Sequence, residues 1–280
     1  MRLELSRAEN SGPKIVHQTF AMRRSGQRAI ILWLQGCYES SGMSVKYEDS
    51  IFNATLPVEP HWPDPDAESL WQAAAGNDVL ITNYQDVPYG RRGESVVYNS
   101  LHHLVRDERD SLIVRDWYNL AASRLKYIAQ QKSIGRFTLV GALDWHEYAR
   151  RWKEHAAVAI RALENPEQSP AVINYNHWFG SSIYRERIAA RYGLVNSDEY
   201  LDEVSDSAYG SSFDGLSKQG HARTMNVLSR WNDLSGAYWP AYRQILEIDR
   251  HELDELNRRL FGLDSDKVLK DAATVNGRAR

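Results

Sequence analysis

Short apolar runs alternate along this chain with longer stretches whose apolar positions repeat every three to four residues. Residues 15–20 (IVHQTF), 79–82 (VLIT), 112–114 (LIV) and 171–175 (AVINY) predict strands. The 112–114 run is apolar throughout, as strands covered on both faces are. Residues 29–34 (AIILWL) are apolar all round and predict a buried helix. Asp116 is placed to cap a helix that carries Leu120, Ala121, Leu125 and Ile128 at helical spacing. A further helix starts near Ser182 and stops near Gly193. Trp145, Tyr148 and Trp152 also recur at helical spacing and predict a stripe facing the core. Repeated strand, loop and helix imply an α/β protein, with a central parallel sheet covered by helices in three layers. Ligands of such sheets bind beyond the carboxyl ends of strands, so chemistry is sought in the residues that follow each strand.

Pro and Gly gather at residues 56–65 (LPVEPHWPDP) and 87–93 (VPYGRRG), which predict loops. Residues 264–280 lack a sustained apolar face. The expected organisation is one α/β domain over residues 1–262 and a C-terminal tail over 263–280. Charge narrows the partners. Lys+Arg number 34 and Asp+Glu 37, a balance of −3, which argues against a nucleic-acid binder held by bulk charge. Cys37 is the single cysteine, so neither an intramolecular disulfide nor a zinc site of several thiolates is expected. Residues 1–14 are polar, and no run approaches the ~20 apolar residues that span a membrane. A cytoplasmic protein without a membrane partner is expected.

Several chemistries lack their signatures. There is no G-x-x-x-x-G-K-[ST], no G-x-G-x-x-G after a strand and no G-x-S-x-G. His146-Glu147 begins like H-E-x-x-H, but Arg150 stands where the second histidine would be. No metal site is expected.

Two turns carry positive evidence. After the first strand come Arg23, Arg24, Ser25, Gly26, Gln27 and Arg28, opening directly into the buried helix. Glycine permits close backbone approach, helix N–H groups point outward, and arginines add bidentate donors, which together suit an anion. A solvated surface turn would use the same residues. After the 112–114 strand, Arg115 stands at a carboxyl end, and Ser123 follows on the next helix, 123 − 115 = 8 residues later.

Together these segments resemble the PAPS-dependent sulfotransferases, PAPS being 3′-phosphoadenosine 5′-phosphosulfate. That family has a K/R-S-G-T-T loop after its first strand, and an R-[DN]-P motif followed by a serine eight residues past the arginine. Arg24-Ser25-Gly26-Gln27-Arg28 is similar to the first. Arg115-Asp116-Trp117 with Ser123 is similar to the second and departs at the proline. The resemblance implies a sulfotransferase-like, P-loop-like nucleotide-binding fold. It implies that residues 23–28 hold the 5′-phosphosulfate and that Arg115 and Ser123 hold the 3′-phosphate. Ile173-Asn174-Tyr175-Asn176 is similar to the family's Tyr-Glu-Asp strand end, which implies adenine contact for Tyr175. A late glycine-containing loop of the family maps to residues 209–223, implying Lys218 and Arg223 as further phosphate ligands.

The implied reaction moves a sulfuryl group from PAPS to a hydroxyl or amine of a small-molecule acceptor, such as a natural product, and releases PAP, 3′-phosphoadenosine 5′-phosphate. Positioning and charge stabilisation carry such transfers, with Arg24 at the leaving phosphate oxygen. The acceptor must lose a proton. Candidate bases are Asp86, His102 or its neighbour His103, and His17. Trp62, Trp71, Tyr84 and Tyr89 are candidate acceptor-pocket residues. A homodimer is compatible with this reading. The competing readings are a P-loop-like small-molecule kinase and an inactive PAP-binding protein.

Overall fold

The protein is described here from a computed structural model at residues 12–51, 67–102, 105, 107–133, 144–166, 170–204, 210–234 and 236–277. Its sheet contains β1 (Ile15–Ala21), β2 (Val45–Ile51), β3 (Val79–Gln85), β4 (Asp107–Val114) and β5 (Ala171–Asn174). All pairings are parallel, in the order β2-β3-β1-β4-β5. The predicted strands all form, and β4 begins well before the apolar 112–114 run. The sequence reading passed over β2 (VKYEDSI). It lies at the sheet edge, where residues 45–48 are half-buried, so it needs little apolar character.

Strand alternation sorts the core onto two faces. Ile15, Ala21, Ile81, Ile113 and Ile173 pack with helices α1 (Gln27–Ser40), α6 (Tyr175–Gly180) and α7 (Ser182–Arg191). Val16, Phe20, Leu80, Leu112 and Val172 face the other layer. That layer includes α2 (Ala67–Ala73), α3 (Val96–His102), α4 (Trp117–Ser133), α5 (Trp145–Glu164), α8 (Trp239–Glu247) and α9 (Arg250–Phe261). The three-layer α/β/α arrangement follows. Asp116 caps α4 as expected, its Oδ1 accepting from Asn119 N–H at 2.8 Å.

Two boundaries differ from expectation. Tyr175 opens α6 and does not end a strand, because the Asn174 side chain accepts from the N–H groups of Asn176 and His177 and starts the helix there. The C-terminal segment, expected as a loose tail or a short helix, forms α10 (Ser265–Gly277). Val268 is fully buried in the core, and Ser265 is held at both its N–H and hydroxyl by Asp254. Among the described side chains, Val268, the partly buried Leu269 and the Ser265–Asp254 bonds dock this helix, too weak a pattern to register as a periodic face. The proline-rich run 56–65 lies outside the described residues. The 87–93 loop contains a 3-10 turn at Tyr89–Glu94.

The register places the site. Ala21 at the end of β1 is opposite Gln85 of β3 and Ile113 of β4. The three carboxyl ends are therefore level. Helix α1 leaves β1 on one face and leads to β2, whereas α4 leaves β4 on the other face and leads to β5. A crevice between β1 and β4 is expected at such a reversal.

Candidate functional site

The chain leaves β1 through residues 22–26 in a tight turn closed by Ser25 N–H donating to Met22 O at 3.1 Å. Arg24 (φ 71°) and Gly26 (φ 85°) are both left-handed. Gly26 cannot carry a side chain, since an ideal Cβ would lie 2.1 Å from Cε2 of Tyr175. Ser25 is buried and donates its hydroxyl to Gln27 Oε1 at 3.1 Å. Helix α1 then starts with no side-chain cap and no acidic residue in its first turn. No carboxylate of the helix's own first turn offsets its positive end.

Arg115 joins the two predicted signatures. Its Nη1 donates to the carbonyl of Arg24 at 2.9 Å, and its Nη2 donates to the carbonyl of Val227. Its guanidinium lies 4.9 Å from the Tyr175 ring centroid. Nε of Arg115 is buried without an acceptor. Ser123 is buried two turns along α4. Tyr175 is itself buried, packed against Trp178, Phe179 and Gly26.

Arg24 is half-buried, and its guanidinium lies 5.0 Å from the ring centroid of Tyr127 on α4. Its Nη2 donates to Gly210 O at 3.3 Å and to the hydroxyl of Ser212. Burial lowers its pKa to about 10. Tyr127 opposes the shift, while the guanidiniums of Arg124, Arg28 and Arg115 reinforce it. The group stays charged at neutral pH. Crowding of like charge around a desolvated arginine is the electrostatic mark of a place suited to an anion.

Asp86 follows β3 in a left-handed conformation (φ 58°) and crosslinks the turn. Its N–H donates to Ala21 O at 2.9 Å, and its Oδ1 accepts from Arg23 N–H at 2.9 Å. Its Oδ2 is 3.6 Å from Arg23 Nε and 4.0 Å from Arg124 Nη2. The carboxylate sits inside the turn's scaffold, and Asp86 is nearly fully buried.

One face of α5 pins all three strand ends, through Tyr148 and Trp152, which the sequence suggested only as core, and through Arg151 and His155, which it did not mark. Tyr148 donates to Arg23 O at 2.9 Å, Trp152 to Arg115 O at 2.9 Å and Arg151 to Asp86 O at 3.4 Å. Nε2 of His155 lies 3.0 Å from Val87 O. Each such bond contributes about 1 kcal/mol. Their greater effect is to set three loops relative to one another from a single rigid helix.

Arg223 is exposed and donates to the Asp202 carboxylate, with its Nε at 2.8 Å. Lys218 makes no ion pair among the described residues. The late segment instead brings Arg230 to the interior, where it donates to Asp214 at 2.6 Å. Arg230 acts electrostatically on Arg115 and Tyr175. No local motif marked it. His102 ends α3, and His103 and Trp62 lie outside the described residues. His17 is buried mid-strand. Its Nδ1 lies 2.8 Å from Tyr38 Oη and its Nε2 2.7 Å from Ser111 Oγ. Burial, reinforced by Arg109, lowers its pKa to about 3. Tyr84 and Tyr89 pack with Phe20 in the core.

No family model matches the chain, and no curated protein matches it. Among the described residues no group of three His, Cys, Asp or Glu is placed to hold a metal. No helix among them is long and apolar enough to cross a membrane.

Proposed function

We propose that this protein is a PAPS-dependent sulfotransferase acting on a hydroxyl or amine of a small-molecule acceptor. The observation that carries the reading is the Arg115–Arg24 hydrogen bond. It joins the β1 turn to the β4 end, with an arginine from each, where the strand order reverses. Two segments that resemble the phosphate signatures of one family, 91 residues apart in sequence, lie in contact.

The donor set fits a substrate with several anionic groups. Buried guanidinium N–H groups stand without acceptors, and the glycine at position 26 lets the backbone be approached closely. PAPS supplies the sulfuryl group, with a phosphate as leaving group. In this reading Arg24 offsets the charge that develops on the leaving oxygen. Backbone N–H groups of residues 26–28 orient the phosphosulfate, the Ser25 N–H being held by Met22 O. Arg115 and Ser123 select for the 3′-phosphate. Asp86 holds the turn through Arg23 and acts as a positioning residue. His102, at the end of α3, is then the candidate for taking the acceptor's proton.

The test is turnover of PAPS to PAP across a panel of phenolic, alcoholic and amine acceptors. PAP formation that requires an acceptor and is abolished by Arg24→Ala supports the reading. Absence of PAP binding by the wild-type protein would remove it.

A further inference from the structure

Arg124 was not among the residues that the sequence suggested, yet it is among the largest fully buried side chains of the protein. It is 1% exposed. Its Nη2 is 4.0 Å from Asp86 Oδ2, and its guanidinium lies 5.3 Å from the Tyr148 ring centroid. Its Nε and Nη1 are buried and have no hydrogen-bond acceptor. Buried donors without partners are rare, and a guanidinium with two of them is costly unless something anionic answers it.

Its position says what would answer it. Arg124 lies three residues before Tyr127 on α4, so the two side chains are neighbours on one helix face. Tyr127 carries the guanidinium of Arg24. Arg115 adds a third guanidinium with an unanswered Nε. The nearby carboxylates are already engaged. Asp86 serves Arg23, and Asp116 accepts from Asn119 and Asn176. Positive charge is in excess at this point.

We propose that Arg124 is a binding residue of an oxyanion subsite shared with Arg24, taking a tetrahedral phosphate or sulfate group. The oxygens of such a group can answer the Nε and Nη1 donors that the protein leaves without acceptors. Arg24 now gives Nη2 to Gly210 O and the Ser212 hydroxyl, so the oxyanion replaces these oxygens as it enters. Within the sulfotransferase reading, on which the nucleotide part rests, the bound group is the phosphosulfate end of the donor.

The test is isothermal titration of pyrophosphate and, separately, of PAP. It compares the wild-type protein, Arg124→Lys, Arg124→Gln and the exposed control Arg150→Ala. Circular dichroism and urea midpoints show that each variant is folded. Lysine keeps the charge beside Asp86 but loses the unanswered Nε and Nη1 donors, so a purely structural role would leave anion affinity unchanged. The expected result is a pyrophosphate Kd raised about tenfold or more by Arg124→Lys, with wild-type affinity in Arg150→Ala. Unchanged affinity in folded Arg124→Lys would overturn the assignment. Should Arg124→Gln fail to fold, the lysine variant alone decides. Wild-type binding of pyrophosphate without PAP, still weakened by Arg124→Lys, would sink the nucleotide reading and keep the subsite. Binding of neither ligand would remove both.

Discussion

Replacing Gly26 by alanine tests the geometry of the β1 turn where it is tightest. Gly26 holds φ at 85°, and the left-handed conformation costs an L-residue about 1–2 kcal/mol. The added Cβ also meets Tyr175 Cε2 at 2.1 Å, well inside contact distance. The Tyr175 ring cannot simply swing aside, being held by Trp178, Phe179 and the Arg115 guanidinium. Overpacking of this kind costs about 1–3 kcal/mol. Gly26→Ala is therefore expected to destabilise the protein by about 2–5 kcal/mol, read from urea unfolding. A double-mutant cycle separates the two contributions. In a Tyr175→Ala background the ring is gone, so Gly26→Ala should cost only about 1–2 kcal/mol. The cycle should return a coupling of about 1–3 kcal/mol. Equal costs in both backgrounds would refute the close approach of Tyr175 to the turn. A cost near zero in both would refute the left-handed turn itself.

Asp86→Asn keeps an acceptor for Arg23 N–H but removes the charge between Arg23 and Arg124. Breaking a buried pair should cost about 3–5 kcal/mol in urea unfolding, and a loss under 1 kcal/mol would show that the carboxylate does not hold the turn. Arg115→Ala should weaken PAP binding far more than ATP binding by titration, and equal losses would remove its role in selecting the 3′-phosphate. Arg223→Ala should leave PAP affinity within about twofold, since a charge-assisted bond to the nucleotide would be worth tenfold or more. A larger loss would place the exposed 221–224 segment at the site after all. Acid should destabilise the fold between pH 6.5 and 5. Burial holds His155 at about 4 and His17 at about 3, so the unfolded chain takes up protons at 6.5 that the folded chain refuses. Asp110, raised by burial to about 6, opposes this as pH falls. Urea midpoints at pH 7 and 5 should differ, and by less in His155→Gln. A flat profile would contradict burial of the two neutral histidines.

The strands that end at the candidate site were legible because β1, β3 and β4 are buried over their carboxyl halves and carry the apolar runs that such burial demands. The β1 turn and Arg115 were visible for a related reason: both directly follow those runs. Residues that act from a distance were not. Tyr148, Arg151, Trp152 and His155 look like an ordinary packed helix face, and only the tertiary arrangement turns their polar ends toward loop carbonyls. Arg124 reads as one more polar residue beside Ser123 until its burial is known. Arg230 replaced Lys218 and Arg223 as the late cation of the interior, and no local spacing distinguishes the three. β2 was missed because an edge strand needs few apolar residues, and α10 was legible only as a tail or short helix, since among its described side chains Val268 and the Ser265–Asp254 bonds do most of the docking.

The central claim is a crevice that binds a nucleotide carrying a 3′-phosphate. Thermal unfolding with PAP, with ATP plus magnesium and with no ligand tests it most directly. A ligand at 100 times its dissociation constant adds about 2.7 kcal/mol of stability, enough to move the midpoint by several degrees. A rise with PAP that exceeds any rise with ATP is the expected result. A rise with ATP and magnesium alone, or no rise with either nucleotide, would contradict the account.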